Sequence, residues 1–358
     1  MTPLPLTGSQ ASCLHAPKAG KLDAELTPGR MPALQDGFGR KINYLRLSVT
    51  DRCDFRCTYC MAEKMKFLPR DEILSLEECL LVAQTFVAMG VDKIRLTGGE
   101  PLIRKDLPWL AARIRELDGL RELVITTNGS QLARFAIPLA QAGIDRINVS
   151  LDSLNPENFR RITRTGDLRQ VLGGIDAAID ALGGRRIKLN TVMLRGTNHG
   201  ELPCMVEFAL AHKLDISFIE QMPLGETGHS HVNSFYSSRD ALVQLKRYYE
   251  LIPSVKNTGG PARYWRVAGH DTLIGFISPH SQNFCASCNR MRVTARGELF
   301  PCLGNEGMVD LLPAVRAGDG AGLRDLITQA VRAKPEAHEF DLSQPQPRIV
   351  RFMSRTCG

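Results

Sequence analysis

Between residues 44 and 221 the chain alternates two kinds of segment. Short runs rich in β-branched and apolar side chains occupy residues 44–49, 93–97, 122–126, 146–151, 186–193 and 216–221, and each reads as a strand. Between them, apolar positions recur every three or four residues. Leu168, Val171, Leu172, Ile175, Ile179 and Leu182 mark one helical face, and Leu76, Leu80, Ala83 and Val87 mark another. Successive βα units with short loops predict a parallel sheet, since each crossover returns right-handed over the same face. Whether that sheet curls toward a barrel or stays open and doubly wound is not decided by the pattern. After about residue 250 the rhythm stops: strands are expected at 264–267, 272–277 and 291–294, then helices at 309–316 and 323–332. Residues 1–38 hold five prolines and little periodicity, so they read as a loose extension. The expected division is therefore 1–38, a βα unit at 39–250 and a smaller unit at 251–358.

The composition, 358 residues with 43% hydrophobic and 23% charged, is that of a globular protein and excludes disorder and collagen-like repeats. No apolar run reaches the roughly 18 residues of a membrane span, and the first 40 residues lack a secretory pattern, so a cytoplasmic setting is expected. A chain of this size buries about three quarters of its unfolded surface and needs no disulfides. Its ten cysteines therefore require another explanation. The net charge of +7 is spread without a basic block, which suits an anionic ligand or plain solubility equally well.

Six of the cysteines fall in two groups. Cys53, Cys57 and Cys60 form a Cys-x3-Cys-x2-Cys run directly after the first strand, where α/β folds place their active sites. Three thiolates on one loop suit an iron-sulfur cluster with one iron left open; the alternative is zinc, which in structural sites wants four closed ligands. Cys285, Cys288 and Cys302 form the second group. The Cys-x2-Cys pair is common in zinc ribbons, but no fourth cysteine or histidine lies close in sequence, and Arg290 and Arg292 follow at once. Three thiolates, an open iron and flanking cations would suit an anionic substrate.

The first run, followed by Gly98-Gly99-Glu100-Pro101 after the second strand, resembles the radical S-adenosylmethionine superfamily. The resemblance implies that Cys53, Cys57 and Cys60 hold a 4Fe-4S cluster whose open iron is chelated by S-adenosylmethionine. Residues 45–53, 93–101, 126–129, 148–153 and 288–292 together extend the resemblance, over about residues 40–358, to the GTP 3′,8-cyclase family within that superfamily. What this implies is an α/β fold: an incomplete six-stranded TIM-type barrel covered by the C-terminal unit, with a second 4Fe-4S cluster on Cys285, Cys288 and Cys302. It further implies that Arg46, Arg95, Thr126, Lys188, Arg290 and Arg292 contact GTP and that Tyr59, Gly99, Ser150 and Met222 contact S-adenosylmethionine. Thr127 is the alternative to Thr126, because adjacent strand residues face opposite ways. The implied reaction is the first step of molybdenum cofactor biosynthesis: hydrogen abstraction at C3′ of GTP, then attack on C8. Implied partners are a reductant protein, a downstream pyranopterin-forming enzyme and a second copy of the chain.

The strands support this independently. Arg46, Arg95, Thr126, Ser150 and Lys188 interrupt five largely apolar runs, one per strand, as a polar lumen would. Buried charges need partners, so an anion is expected among Arg46, Arg95 and Lys188, and a triphosphate fits both fork and point charge. Two other readings compete: a radical S-adenosylmethionine enzyme acting on peptides, which would not need the cations, and a zinc-containing nucleic-acid binder, which would need a basic stripe with interleaved aromatics that the chain lacks. Cys79 and Cys204 read as packing residues, Cys13 lies in the extension, and the eight histidines show no ligand-like pairing. The family tail usually ends in Gly-Gly, where this chain has Cys357-Gly358. A side chain there restricts backbone angles that glycine permits, and comparison with Cys357→Gly measures its effect on activity.

Overall fold

A computed structural model describes residues 34–183 and 186–356. Cys13, Cys357 and most of the proposed extension lie outside the described residues. The six strands read from sequence form as β1 (Tyr44–Ser48), β2 (Lys93–Thr97), β3 (Glu122–Thr127), β4 (Arg146–Ser150), β5 (Ile187–Met193) and β6 (Asp215–Glu220). They lie side by side in chain order, each parallel to the next. The helices between them are α1 (Leu76–Ala88), α2 (Leu107–Arg115), α3 (Leu132–Gln141), α4 (Pro156–Thr163), α5 (Leu168–Leu182) and α6 (Leu202–Ala211), with α7 (His231–Ser234) and α8 (Ser238–Leu245) after β6.

Local chemistry sets the helix starts. Ser75 accepts from the Glu78 amide while the Glu78 carboxylate accepts from the Ser75 amide, a capping box that opens α1. Asn155 caps α4 ahead of Pro156, and Asp167 caps α5.

The remaining strands do not build a separate sheet. β7 (Leu251–Ser254), β8 (Arg263–Val267), β9 (Leu273–Ile277), β10 (Arg290–Val293), β11 (Glu298–Phe300) and β12 (Val309–Asp310) all join the first one, and α9 (Leu312–Ala317) and α10 (Gly320–Arg332) follow. The order is β12-β11-β10-β1-β2-β3-β4-β5-β6-β9-β8-β7. β10 pairs parallel with β1 and β9 pairs parallel with β6, so the parallel arc runs from β10 through the six to β9. The expectation of six barrel strands is thus corrected. Strands from the C-terminal third extend both edges, capped by antiparallel β11 and β8, and the sheet does not close. The expected helix at 309–316 likewise divides into β12 and α9, since Pro313 suits the first turn of α9 and no earlier position in a helix body.

Along each parallel strand one phase is apolar and packs outward under the helices: Leu45 and Leu47, Ile94 and Leu96, Ile147 and Val149, Ile216 and Phe218, Met291 and Val293 are all fully buried there. The other phase faces the inside of the arc and is largely polar on β1 to β5, with Val192, Ile219 and Ile277 among its apolar members. Cys79 is buried on α1, as expected. Cys204 is exposed, against expectation, because α6 buries Leu202, Pro203, Met205, Val206 and Ala209 instead. No helix among the described residues is long and apolar enough to cross a membrane.

Candidate active site

One cavity inside the arc is lined by every residue singled out from sequence: both cysteine groups, Tyr59, Gly99, Ser150 and Met222, and Arg46, Arg95, Thr126, Lys188, Arg290 and Arg292. The loop after β1 that carries Cys53, Cys57 and Cys60 is pinned from three sides. Its Arg56 and Thr58 amides donate to the Thr163 and Ile162 carbonyls at the end of α4, both at 2.9 Å. Asn128 and Ser130, after β3, donate to the Asp54 carboxylate at 2.7 and 2.5 Å. From β2, the Gly99 and Glu100 amides donate to the Thr50 and Arg52 carbonyls at 2.8 and 2.7 Å. A Cβ on Gly99 would stand 2.1 Å from the Arg52 carbonyl oxygen, so this glycine is required by the chain's own backbone at the cysteine loop.

Beneath it, Glu100 is wholly buried and accepts from the Leu102 amide, the Thr127 hydroxyl and the Asn128 amide at 2.9, 2.7 and 2.6 Å. Burial still raises its carboxyl to about 7. Thr127 is thereby committed to the scaffold, while the Thr126 hydroxyl accepts from Arg95 at 2.7 Å. Tyr59 donates to Asp152 at 2.6 Å, which fixes the ring, and burial lifts Asp152 to about 6.

The polar phase of the strands supplies more side chains than the sequence reading named. Lys93, Arg146, Asn148, Asn190 and Tyr44 line the cavity as well, each two residues from a named one or from its neighbour in the same phase. Extending each named position by two would have found all of them but Arg146, which lies four before Ser150. Glu122 pairs with both Lys93 at 2.6 Å and Arg146 at 2.8 Å, one carboxylate shared between two cations. Arg95, Lys188 and Arg290 meet other groups. Arg95 donates to the Tyr44 hydroxyl at 2.5 Å, and Lys188 to the Tyr264 hydroxyl at 2.7 Å. Arg290 lies over Phe284 and donates to Cys288 Sγ at 3.5 Å. Among the described residues none of these three has a carboxylate at ion-pair distance. Burial, reinforced by Arg146, lowers Lys188 to about 7. Although burial of Tyr44 opposes it, Arg95, Arg46 and Lys93 draw its phenol down to about 8.

The donor sets fit open clusters better than single ions. Tetrahedral zinc at about 2.3 Å from sulfur needs its thiolates close together. Among the described residues no three cysteine, histidine or carboxylate side chains converge on one ion. A cluster with one iron per thiolate accepts the wider spacing. His338 is the histidine beside the second group, but its Nε2 meets the Pro279 carbonyl at 2.9 Å and its Nδ1 accepts from the Phe340 amide at 3.2 Å, so neither nitrogen is left to close a zinc site. Burial raises all three thiols of the first group, Cys60 to about 12. In the second group burial also acts on Cys288, but Arg290 and Lys334 overcome it and bring the thiol down to about 6.

Comparisons with known proteins agree with this arrangement. Residues 47–209 match the Radical SAM superfamily model, and residues 214–340 match Molybdenum Cofactor Synthesis C. A GTP 3′,8-cyclase of Pseudomonas entomophila is 56% identical over 91% of this chain and 98% of its own length. Those of Pseudomonas putida and Ectopseudomonas mendocina are each 55% identical over the same shares. Among solved structures, Streptococcus suis SuiB bound to precursor peptide SuiA superposes with a TM-score of 0.60 at 16% identity, covering 87% of this chain and 75% of that one. That likeness establishes the fold alone. The chain belongs to the GTP 3′,8-cyclase family of the radical S-adenosylmethionine superfamily.

Proposed function

We propose that the chain converts GTP to 3′,8-cyclo-7,8-dihydro-GTP, the first step of molybdenum cofactor biosynthesis. The observation that carries this is one cavity in which two three-cysteine groups meet buried Arg95, Lys188 and Arg290, which among the described residues have no carboxylate at ion-pair distance. A peptide substrate would not need Arg95, Lys188 and Arg290 gathered in one lumen, whereas a triphosphate would. In this reading Cys53, Cys57 and Cys60 hold one 4Fe-4S cluster, and Cys285, Cys288 and Cys302 the other. With S-adenosylmethionine bound, these groups supply one-electron reduction and hydrogen abstraction, which no side chain here provides.

The chain's own residues bind, orient and enclose. Arg46, Arg95, Lys188, Arg290 and Arg292 receive the triphosphate, with Thr126 holding the Arg95 fork in its bound orientation. Met222, Ser150, Gly99 and Tyr59 frame S-adenosylmethionine, Tyr59 steadied by Asp152. Residues 39–250 form the catalytic arc and 251–358 supply the second cluster and the arc's edges. The free cysteines suit a reducing, cytoplasmic setting; a protein reductant, a downstream pyranopterin-forming enzyme that takes the product and a second copy of the chain are the partners the family reading carries with it.

The test is anaerobic turnover of reconstituted protein with S-adenosylmethionine, GTP and a reductant. 5′-Deoxyadenosine and cyclised nucleotide should appear together. Cleavage of S-adenosylmethionine with GTP left unchanged would overturn the substrate assignment.

A further inference from the structure

Three cations reach the backbone around the second cysteine group, each from outside it. Arg40 donates to the Cys285 carbonyl at 2.9 Å and to the Pro335 and Glu336 carbonyls at 2.6 and 2.8 Å. Arg351 donates to the Cys302 and Leu303 carbonyls at 3.2 and 2.6 Å. Lys334, just beyond α10, donates through Nζ to the Arg290 carbonyl at 2.9 Å and to the Pro301 carbonyl. Arg290 lies two residues after Cys288, and Pro301 directly precedes Cys302. One ammonium therefore ties together the two segments that carry those cysteines.

The three differ in how their charge is balanced. Arg40 pairs with Asp36 at 2.5 Å and Arg351 with Glu306 at 2.6 Å. Lys334 is 2% exposed, yet no carboxylate among the described residues lies at ion-pair distance from it. Both partners are carbonyls, which accept its hydrogen bonds but bring no negative charge, and a buried ammonium without counter-charge is costly. Burial lowers its pKa and Arg292 and Arg40 add to that, while the side chains that favour its charged form are Cys288 and Cys302. A 4Fe-4S core held by three thiolates carries a net negative charge that grows by one on reduction.

We propose that Lys334 is a positioning residue for the second cluster: it supplies the buried counter-charge and fixes the spacing between the Cys288 and Cys302 segments. This rests on the two-cluster reading, which the iron content of the unaltered protein tests separately. About eight irons per chain support that reading and about four defeat it, whatever Lys334 does.

The role of Lys334 is tested in the full chain, reconstituted anaerobically, with Lys334→Gln and Lys334→Arg. The amide of Gln still donates to a carbonyl but carries no charge. An EPR-monitored redox titration, with S-adenosylmethionine added to identify the first cluster's signal, should show the second cluster's midpoint more negative in Lys334→Gln and near the original in Lys334→Arg. Under a ferrous chelator, Lys334→Gln should lose about half its iron several-fold faster than the unaltered protein. Cleavage of S-adenosylmethionine without GTP should continue at the original rate, which excludes general misfolding. Lys334→Gln with unchanged midpoint and iron retention would overturn the proposal, as would equal shifts in Gln and Arg.

Discussion

Lys188 rests on a phenol hydroxyl inside a cationic lumen, and burial together with Arg146 holds it near pH 7. Its unfolded counterpart titrates near 10.5, so between those values the unfolded chain binds more protons and stability from this group rises with pH. The substrate requirement has the opposite sign. Above about pH 7 the free enzyme loses a charge the triphosphate needs, so KM for GTP should climb with pH, and steady-state kinetics on Lys188→Arg should flatten that climb. The neighbouring threonines separate equally well. Thr126→Ala frees the Arg95 fork and should raise KM for GTP with little loss of melting temperature. Thr127→Ala leaves buried Glu100 short of a donor and should cost about 1–3 kcal/mol, read by chemical denaturation.

At the scale of elements, the Gly98-Gly99 turn joins β2 to the loop after β1 through two backbone hydrogen bonds. Gly99→Ala forces that loop away from β2. The expected outcome is loss of the first cluster and of S-adenosylmethionine cleavage, with iron falling by about half, as the second group is held elsewhere. Ser75→Ala removes half of the α1 capping box and should cost about 1 kcal/mol in a denaturant titration without altering cluster content. The six βα strands were legible because their apolar phase is buried under helices, and α5 because its apolar spacing and Asp167 cap agree. The lumen was half legible. A polar residue inside an apolar run stands out, as Arg95 and Lys188 do, whereas Lys93 and Arg146 sit at strand starts, where charge is ordinary. The places of β9 and β10 were illegible, since which strand pairs with β6 or β1 across so long a separation is chosen by tertiary pairing and leaves no period in sequence.

For the whole molecule, the decisive pairings are Tyr44 with Arg290 and Ile216 with Ile274, which bring the C-terminal strands to both edges of the arc. A chain cut after residue 250 leaves β1 and β6 with bare parallel edges. It should aggregate on expression, measured as soluble fraction, and recover when residues 251–358 are supplied together with it. The same pairings order events at the ribosome. β1 and its cysteine loop emerge first, but the strand that closes that edge is synthesised only once the chain has reached Arg290. The nascent chain thus holds its first cysteine loop beside an unsealed edge until β10 arrives, a long-range pairing of the kind that slows folding and exposes an edge to wrong partners before metal is loaded.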